Sequence, residues 1–120
     1  MTKNLSILIV DDSLDVRKAL SSFLSTLGWI KIVCEASDVE AAMAMIERQI
    51  PDIVLMDIKM PVINGLDATR MIKKRWSEIK VIMLSVYPEY LQEAEQAGAD
   101  AFLFKGCSLE ELSSTICSLD

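Results

Sequence analysis

Five short apolar runs alternate with five longer amphipathic segments, and that rhythm restricts the fold of this chain more than any single motif. The runs are Leu5–Val10, Ile30–Ala36, Ile53–Met56, Val81–Ser85 and Ala101–Phe104. Four are nearly continuous in Val, Ile, Leu, Met or Phe, the pattern of parallel strands covered by helices on both faces. The second carries Lys31 and Glu35, which suits a strand at the edge of a sheet.

The segments between them have helical spacing. Val16, Leu20, Phe23, Leu24 and Leu27 recur at steps of three and four, with Ser13 as the expected N-cap and Gly28 as the stop. Ser37-Asp38-Val39-Glu40 and Ser108-Leu109-Glu110-Glu111 have capping-box form and should open the second and fifth helices. The third is expected from about Gly65 to Trp76. Pro88 sits early in the fourth, where its missing N–H is harmless, and Gly98 ends it. No linker, low-complexity tract or repeat interrupts the sequence, so one domain over residues 1–120 is expected. Five βα units are too few for an eight-stranded barrel, which leaves an open, doubly wound α/β sheet. The expected parallel order is 2-1-3-4-5, wound by right-handed crossovers, with the topological switch between strands 1 and 3.

Composition narrows the chemistry. The chain has no histidine, which removes Ser-His and Cys-His catalysis and every His-ligated metal site. Its net charge is −6, so it lacks the basic face that holds nucleic acid, and no direct nucleic-acid contact is expected. Cys34, Cys107 and Cys117 are odd in number and show no C-x-x-C spacing, which fits free thiols in a reducing compartment. No apolar stretch approaches the roughly 18 residues that span a bilayer, and the opening Met-Thr-Lys-Asn-Leu-Ser has no signal-peptide core. No membrane partner is expected, and the expected location is the cytoplasm.

In the 2-1-3-4-5 order, residues just past the strands gather on one rim: Asp11 and Asp12 after the first, Asp57 after the third, Ser85 closing the fourth and Lys105 after the fifth. Two carboxylates about 4 Å apart repel by roughly 4 kcal/mol at an effective dielectric near 20, so a fold that brings them together needs a counter-charge. Oxygen ligands without His or Cys suit a hard cation, Mg²⁺ in particular, which is commonly held by one or two carboxylates plus a phosphate. An aspartate beside that cation can attack phosphorus, with Lys105 as a point charge for the phosphoryl oxygens and Ser85 as a hydroxyl donor.

The acidic pair Asp11-Asp12, the run Asp57-Ile58-Lys59-Met60-Pro61-Val62-Ile63-Asn64-Gly65, Ser85, and Phe102-Leu103-Phe104-Lys105 together resemble the receiver domain of two-component response regulators. The resemblance covers essentially the whole chain and implies a flavodoxin-like (βα)₅ fold. It implies that Asp57 is phosphorylated by a partner histidine kinase or phosphotransfer protein. It further implies Mg²⁺ on Asp12, Asp57 and the backbone carbonyl of Lys59, with Asp11 acting mostly through water. Ser85 takes the switch-hydroxyl position and Phe102 that of the aromatic side chain that turns inward. Signalling would follow from that shift, without turnover catalysis beyond self-catalysed phosphoryl uptake and hydrolysis.

Some positions depart from the family pattern. The switch hydroxyl is Ser where Thr is commoner, Phe102 has no phenol, and Gly106 replaces a frequent proline after the lysine. Lys59 and Tyr87 occupy the variable positions that tune phosphoryl lifetime in the family. The cast resembles receivers with a C-terminal helix-turn-helix DNA-binding output, which would lie outside these 120 residues; a stand-alone receiver acting by protein–protein interaction is the alternative. A phosphorylation-dependent homodimer stays open as a partner, although Tyr87–Ala97 and Ser108–Leu119 lack the Lys and Arg that pairing through the fourth and fifth helices commonly uses. A haloacid-dehalogenase-type phosphatase fits less well, because its nucleophile follows the first strand with a second Asp two residues on.

Overall fold

The computed structural model describes residues 4–119. In chain order they form β1 Leu5–Val10, α1 Leu14–Leu24, β2 Ile30–Ala36, α2 Val39–Arg48, β3 Ile53–Asp57, α3 Gly65–Arg75, β4 Lys80–Ser85, α4 Leu91–Ala97, β5 Ala101–Phe104 and α5 Leu109–Leu119. The five strands are parallel in the order 2-1-3-4-5, the flavodoxin-like arrangement expected from the alternation. Residues 1–3 and 120 of the expected domain lie outside the described residues.

Strand parity divides the interior into two cores. Leu8, Val10, Val54, Met56, Val81 and Met83 pack with Ile46 of α2, Ile72 of α3 and Ala94 of α4. Ile7, Ile9, Ile53, Leu55, Ile82, Leu84 and Leu103 pack on the opposite face with Leu24 of α1 and Leu112 and Ile116 of α5. Each fully buried side chain of this size contributes about 1.5–3 kcal/mol. β3 is buried along its whole length, whereas most of β2 is half-exposed, as the charges within it predict.

The caps follow local chemistry more closely than the sequence patterns alone indicate. Ser13 accepts from the Val16 amide, as expected. The stop at Gly28 is corrected: α1 ends at Leu24, because the Ser25, Thr26 and Leu27 amides fold back onto Ser21, Phe23 and Leu24, and the Thr26 hydroxyl donates to the Phe23 carbonyl. α2 is capped by Asp38 rather than Ser37, with its Oδ1 accepting from the Ala41 amide at 2.7 Å. The Ser108 hydroxyl accepts from the Glu111 amide. Pro88–Tyr90 forms a separate 3₁₀ turn before α4, and Gly98 ends α4 in the left-handed conformation. β3 runs one residue further than expected, to Asp57, which pairs with Leu84.

The loop after Asp57 is tightly built. A Cβ on Gly65 would lie 1.9 Å from the Asp57 carbonyl oxygen, and the Gly65 amide donates to the Ile58 carbonyl at 2.7 Å. Only glycine lets the start of α3 close onto the end of β3. Earlier in the loop, the Ile63 amide donates to the Pro61 carbonyl at 2.8 Å, a three-residue turn around an exposed Val62 with φ 69°. A β-branched residue there costs about 1–2 kcal/mol. Gly65→Ala should therefore destabilise the fold by about 2–3 kcal/mol, read as a lower midpoint in urea unfolding. Val62→Asn, which tolerates a positive φ better, should raise stability by about 1 kcal/mol in the same assay.

Candidate functional site

Register brings the rim together. Val10 pairs with Met56 across β1 and β3, so Asp11 and Asp57, one step further on, stand side by side. Ser85 pairs with Phe104 across β4 and β5, so Lys105 follows directly beyond that pair, and its amide donates to the Ser85 carbonyl at 2.9 Å. Asp11, Asp57 and Lys105 share strand parity with Ile9, Leu55 and Leu103 of one core, while Ser85 and Phe102 share it with Met83 and the other.

Carboxylate oxygens of Asp11, Asp12 and Asp57 lie within 4.8 Å of one another. Asp11 is 2% and Asp57 8% exposed; Asp12 is exposed. The Lys105 ammonium bridges the buried pair, 2.8 Å from Asp11 Oδ2 and 3.1 Å from Asp57 Oδ1. Asp11 Oδ1 accepts from the Ser13 amide at 2.9 Å, and Asp57 Oδ1 from the Ile58 amide at 2.9 Å. Asp57 Oδ2 and the Asp12 carboxylate have no hydrogen-bond partner among the described residues.

Burial, and after it the charge of Asp11, push Asp57 above the ordinary carboxylate range, although Lys105 and the Ile58 amide pull the other way. For Lys105, burial alone would lower the ammonium; the contacts with Asp11 and Asp57 outweigh it and hold the group above the usual lysine value. The site thus keeps its cation and strains Asp57. The donors suit a hard divalent ion: three carboxylates, no nitrogen or sulfur ligand, and one acid left at the surface to exchange water for metal.

An open cleft of about 500 Å³ adjoins the rim, lined by Asp12, Ile58, Lys59, Met60, Pro61, Asn64, Leu66 and Tyr90. Lys59 is exposed, and its ammonium sits 4.2 Å from the centre of the Tyr87 ring. Tyr87 meets Tyr90 edge to face at 6.0 Å between centroids. Ser85 is buried, and its hydroxyl accepts from the Tyr87 amide at 2.9 Å. Phe102 is half-buried against the α2–α3–α4 core. Asp11, Asp12, Asp57 and Lys105 therefore form one cluster, whereas Ser85 and Phe102 stand beside it on the other face of the sheet.

Arg17 also reaches this rim, although no motif in the sequence singles it out. Its guanidinium reaches the Asp11 carbonyl at 2.7 Å. The available signal was a cation near the N-terminus of α1, where the helix dipole disfavours one. The Cys107 thiol is pushed up by burial and then by Glu111, away from the range of a reactive thiolate.

Residues 7–117 match the response regulator receiver domain family. The chain belongs to that family. Receiver domains of this kind are parts of two-component signalling switches. The chain is 40% identical over 117 residues to response regulator UvrY of Escherichia coli (strain K12), covering 96% of this chain and 54% of that protein. Among solved structures it resembles a LuxR-family DNA-binding response regulator from Staphylococcus aureus, with 32% identity and TM-score 0.88 over 96% of this chain and 98% of that one. It also resembles response regulator TrrA of Thermotoga maritima, solved in complex with Mg(2+)-BeF, with 30% identity and TM-score 0.88 over the whole of both chains. The receiver spans about half the length of the curated relatives it matches. No helix among the described residues is long and apolar enough to cross a membrane.

Asp57 fixes the sign of a pH effect in chelator-treated protein. A raised carboxyl pKa favours folding in acid, below the ordinary value of 3.8, and that contribution is lost as pH rises through the folded-state value. At neutral pH Asp57→Asn should therefore raise Tm. Thermal melts across pH should show the two proteins converging below the ordinary carboxylate value.

Proposed function

We propose that this chain is a phosphoacceptor: Asp57 takes a phosphoryl group from a phosphohistidine on a partner kinase or phosphotransfer protein, in a domain spanning residues 1–120. The observation that carries the reading is the bridge from Lys105 to Asp11 and Asp57 at 2.8 and 3.1 Å. It leaves a buried carboxylate with one oxygen engaged and the other without a partner among the described residues. The absence of histidine from this chain fits a relay whose histidine belongs to the partner.

Asp12, Asp57 and the Lys59 carbonyl would hold Mg²⁺, with Asp11 acting through water. When bound, the ion supplies charge neutralisation between the carboxylates and the incoming phosphoryl oxygens. The unengaged oxygen of Asp57 attacks phosphorus as the bond to the donor nitrogen breaks. Lys105 remains charged and moves its interaction from carboxylate to phosphoryl oxygen. The acyl phosphate carries up to two negative charges where the free carboxylate carried one, at a rim already rich in carboxylates, so local contacts must rearrange. The Ser85 hydroxyl gives up the Tyr87 amide and turns to the phosphoryl group, and Phe102 moves into the space opened beside it. That shift switches the surface around β4, α4 and β5. Water later cleaves the acyl phosphate, so the domain works as a timed switch rather than a turnover enzyme.

The output is control of transcription by a DNA-binding part outside this sequence, in the cytoplasm where the kinase partner acts. The name of the S. aureus relative and the greater length of UvrY support this reading. The test of phosphoacceptance is incubation with Mg²⁺ and acetyl phosphate followed by intact mass measurement. Wild type should gain one phosphoryl group and Asp57→Asn none; an equal adduct on the variant would remove Asp57 from the role.

A further inference from the structure

Arg17 is not among the residues that carry the family resemblance, yet it reaches the acidic rim from α1. Its side chain is only 13% exposed, which for an arginine requires partners that repay its desolvation. Nη1 donates to the backbone carbonyl of Asp11 at 2.7 Å, and Nε donates to Glu35 Oε1 on β2 at 3.3 Å. The other Glu35 oxygen accepts from Lys18 at 3.1 Å, so the guanidinium is oriented by a carboxylate that is itself held from two sides.

The Asp11 carbonyl and the Asp12 amide belong to one rigid peptide plane. A strong hydrogen bond to that carbonyl therefore fixes the direction in which Asp12 leaves the chain. The remaining polar groups of Asp11 are already engaged: its amide on the Ala36 carbonyl at 3.1 Å, Oδ1 on the Ser13 amide and Oδ2 on Lys105. The Asp12 carboxylate has no such restraint among the described residues, so its place in the acidic trio depends on the backbone behind it.

We infer that Arg17 is a positioning residue for the cation site: by holding the Asp11–Asp12 peptide it preorganises Asp12, and Glu35 orients Arg17 to do so. This rests on the reading of the rim as a Mg²⁺ site. The positioning role differs in sign from a simple charge effect. A nearby positive charge weakens cation binding, so an Arg17 that acted through charge would bind metal better once neutralised. A plain staple between α1 and β2 would change stability and leave metal affinity alone.

Mg²⁺ titrations followed by the backbone amide shifts of Asp12 and Ile58, with thermal melts of each protein, separate these roles. Arg17→Lys keeps the charge but not the planar fork, and Arg17→Gln removes both. Both should raise the Mg²⁺ Kd roughly tenfold, the usual scale for residues that orient a ligand, and Glu35→Ala should raise it roughly threefold. Tighter binding by Arg17→Gln, or Kd values equal to wild type in folded variants, would overturn the inference. If the Arg17 variants do not fold, Glu35→Ala at the half-exposed edge decides alone, and an unchanged Kd overturns it. A wild type that binds no Mg²⁺ overturns the metal reading and this inference together; a binding wild type with unaffected variants overturns this inference only.

Discussion

The ammonium of Lys105 between Asp11 and Asp57 is the interaction on which the site depends. Two like charges held within 4.8 Å repel by roughly 3.5 kcal/mol or more at an effective dielectric near 20, and burial adds to the cost of each. Lys105 offsets this without removing it: Asp57 stays above the ordinary carboxylate range. The resting rim is thus satisfied enough to fold and strained enough to take up another cation. The same lysine is a charge that can follow a phosphoryl group. Its backbone bond to Ser85 ties that charge to the strand that carries the switch hydroxyl.

The sheet was legible because its signal is redundant. Five apolar runs, a charged second run and the right-handed crossover rule are all met by the same order, which places Asp11 and Asp57 on adjacent strand ends and Lys105 on the same rim. Helix ends were less legible, because several side chains compete locally for the same amides. At Ser37-Asp38 either residue could cap α2, and the carboxylate does; at the end of α1 the Thr26 hydroxyl closes the helix before Gly28 is reached.

Contacts between elements distant in sequence were the hardest to read. Arg17 looks like a surface cation on a helix until β2 brings Glu35 beside it and the turn after β1 presents the Asp11 carbonyl. Lys59 and Tyr87 were visible as variable positions, but their contact at 4.2 Å comes from the approach of the β3–α3 and β4–α4 loops. The close contact at Gly65 could not be inferred from a glycine near the start of a helix. It follows from the Asp57 carbonyl lying where a Cβ would have to be.

A rim short of cations would couple a group arriving at Asp57 to Ser85 and Phe102 on the other face of the sheet. The most direct measurement is an NMR titration of the domain with Mg²⁺ and then with beryllofluoride as a phosphoryl mimic. The amides of Asp57, Ile58 and Lys105 should shift first, and those of Ser85, Tyr87 and Phe102 should shift on addition of the mimic. Shifts confined to the N-terminal ends of the strands, or a mimic that binds at Asp57 while Ser85 and Phe102 stay unmoved, would contradict this coupling.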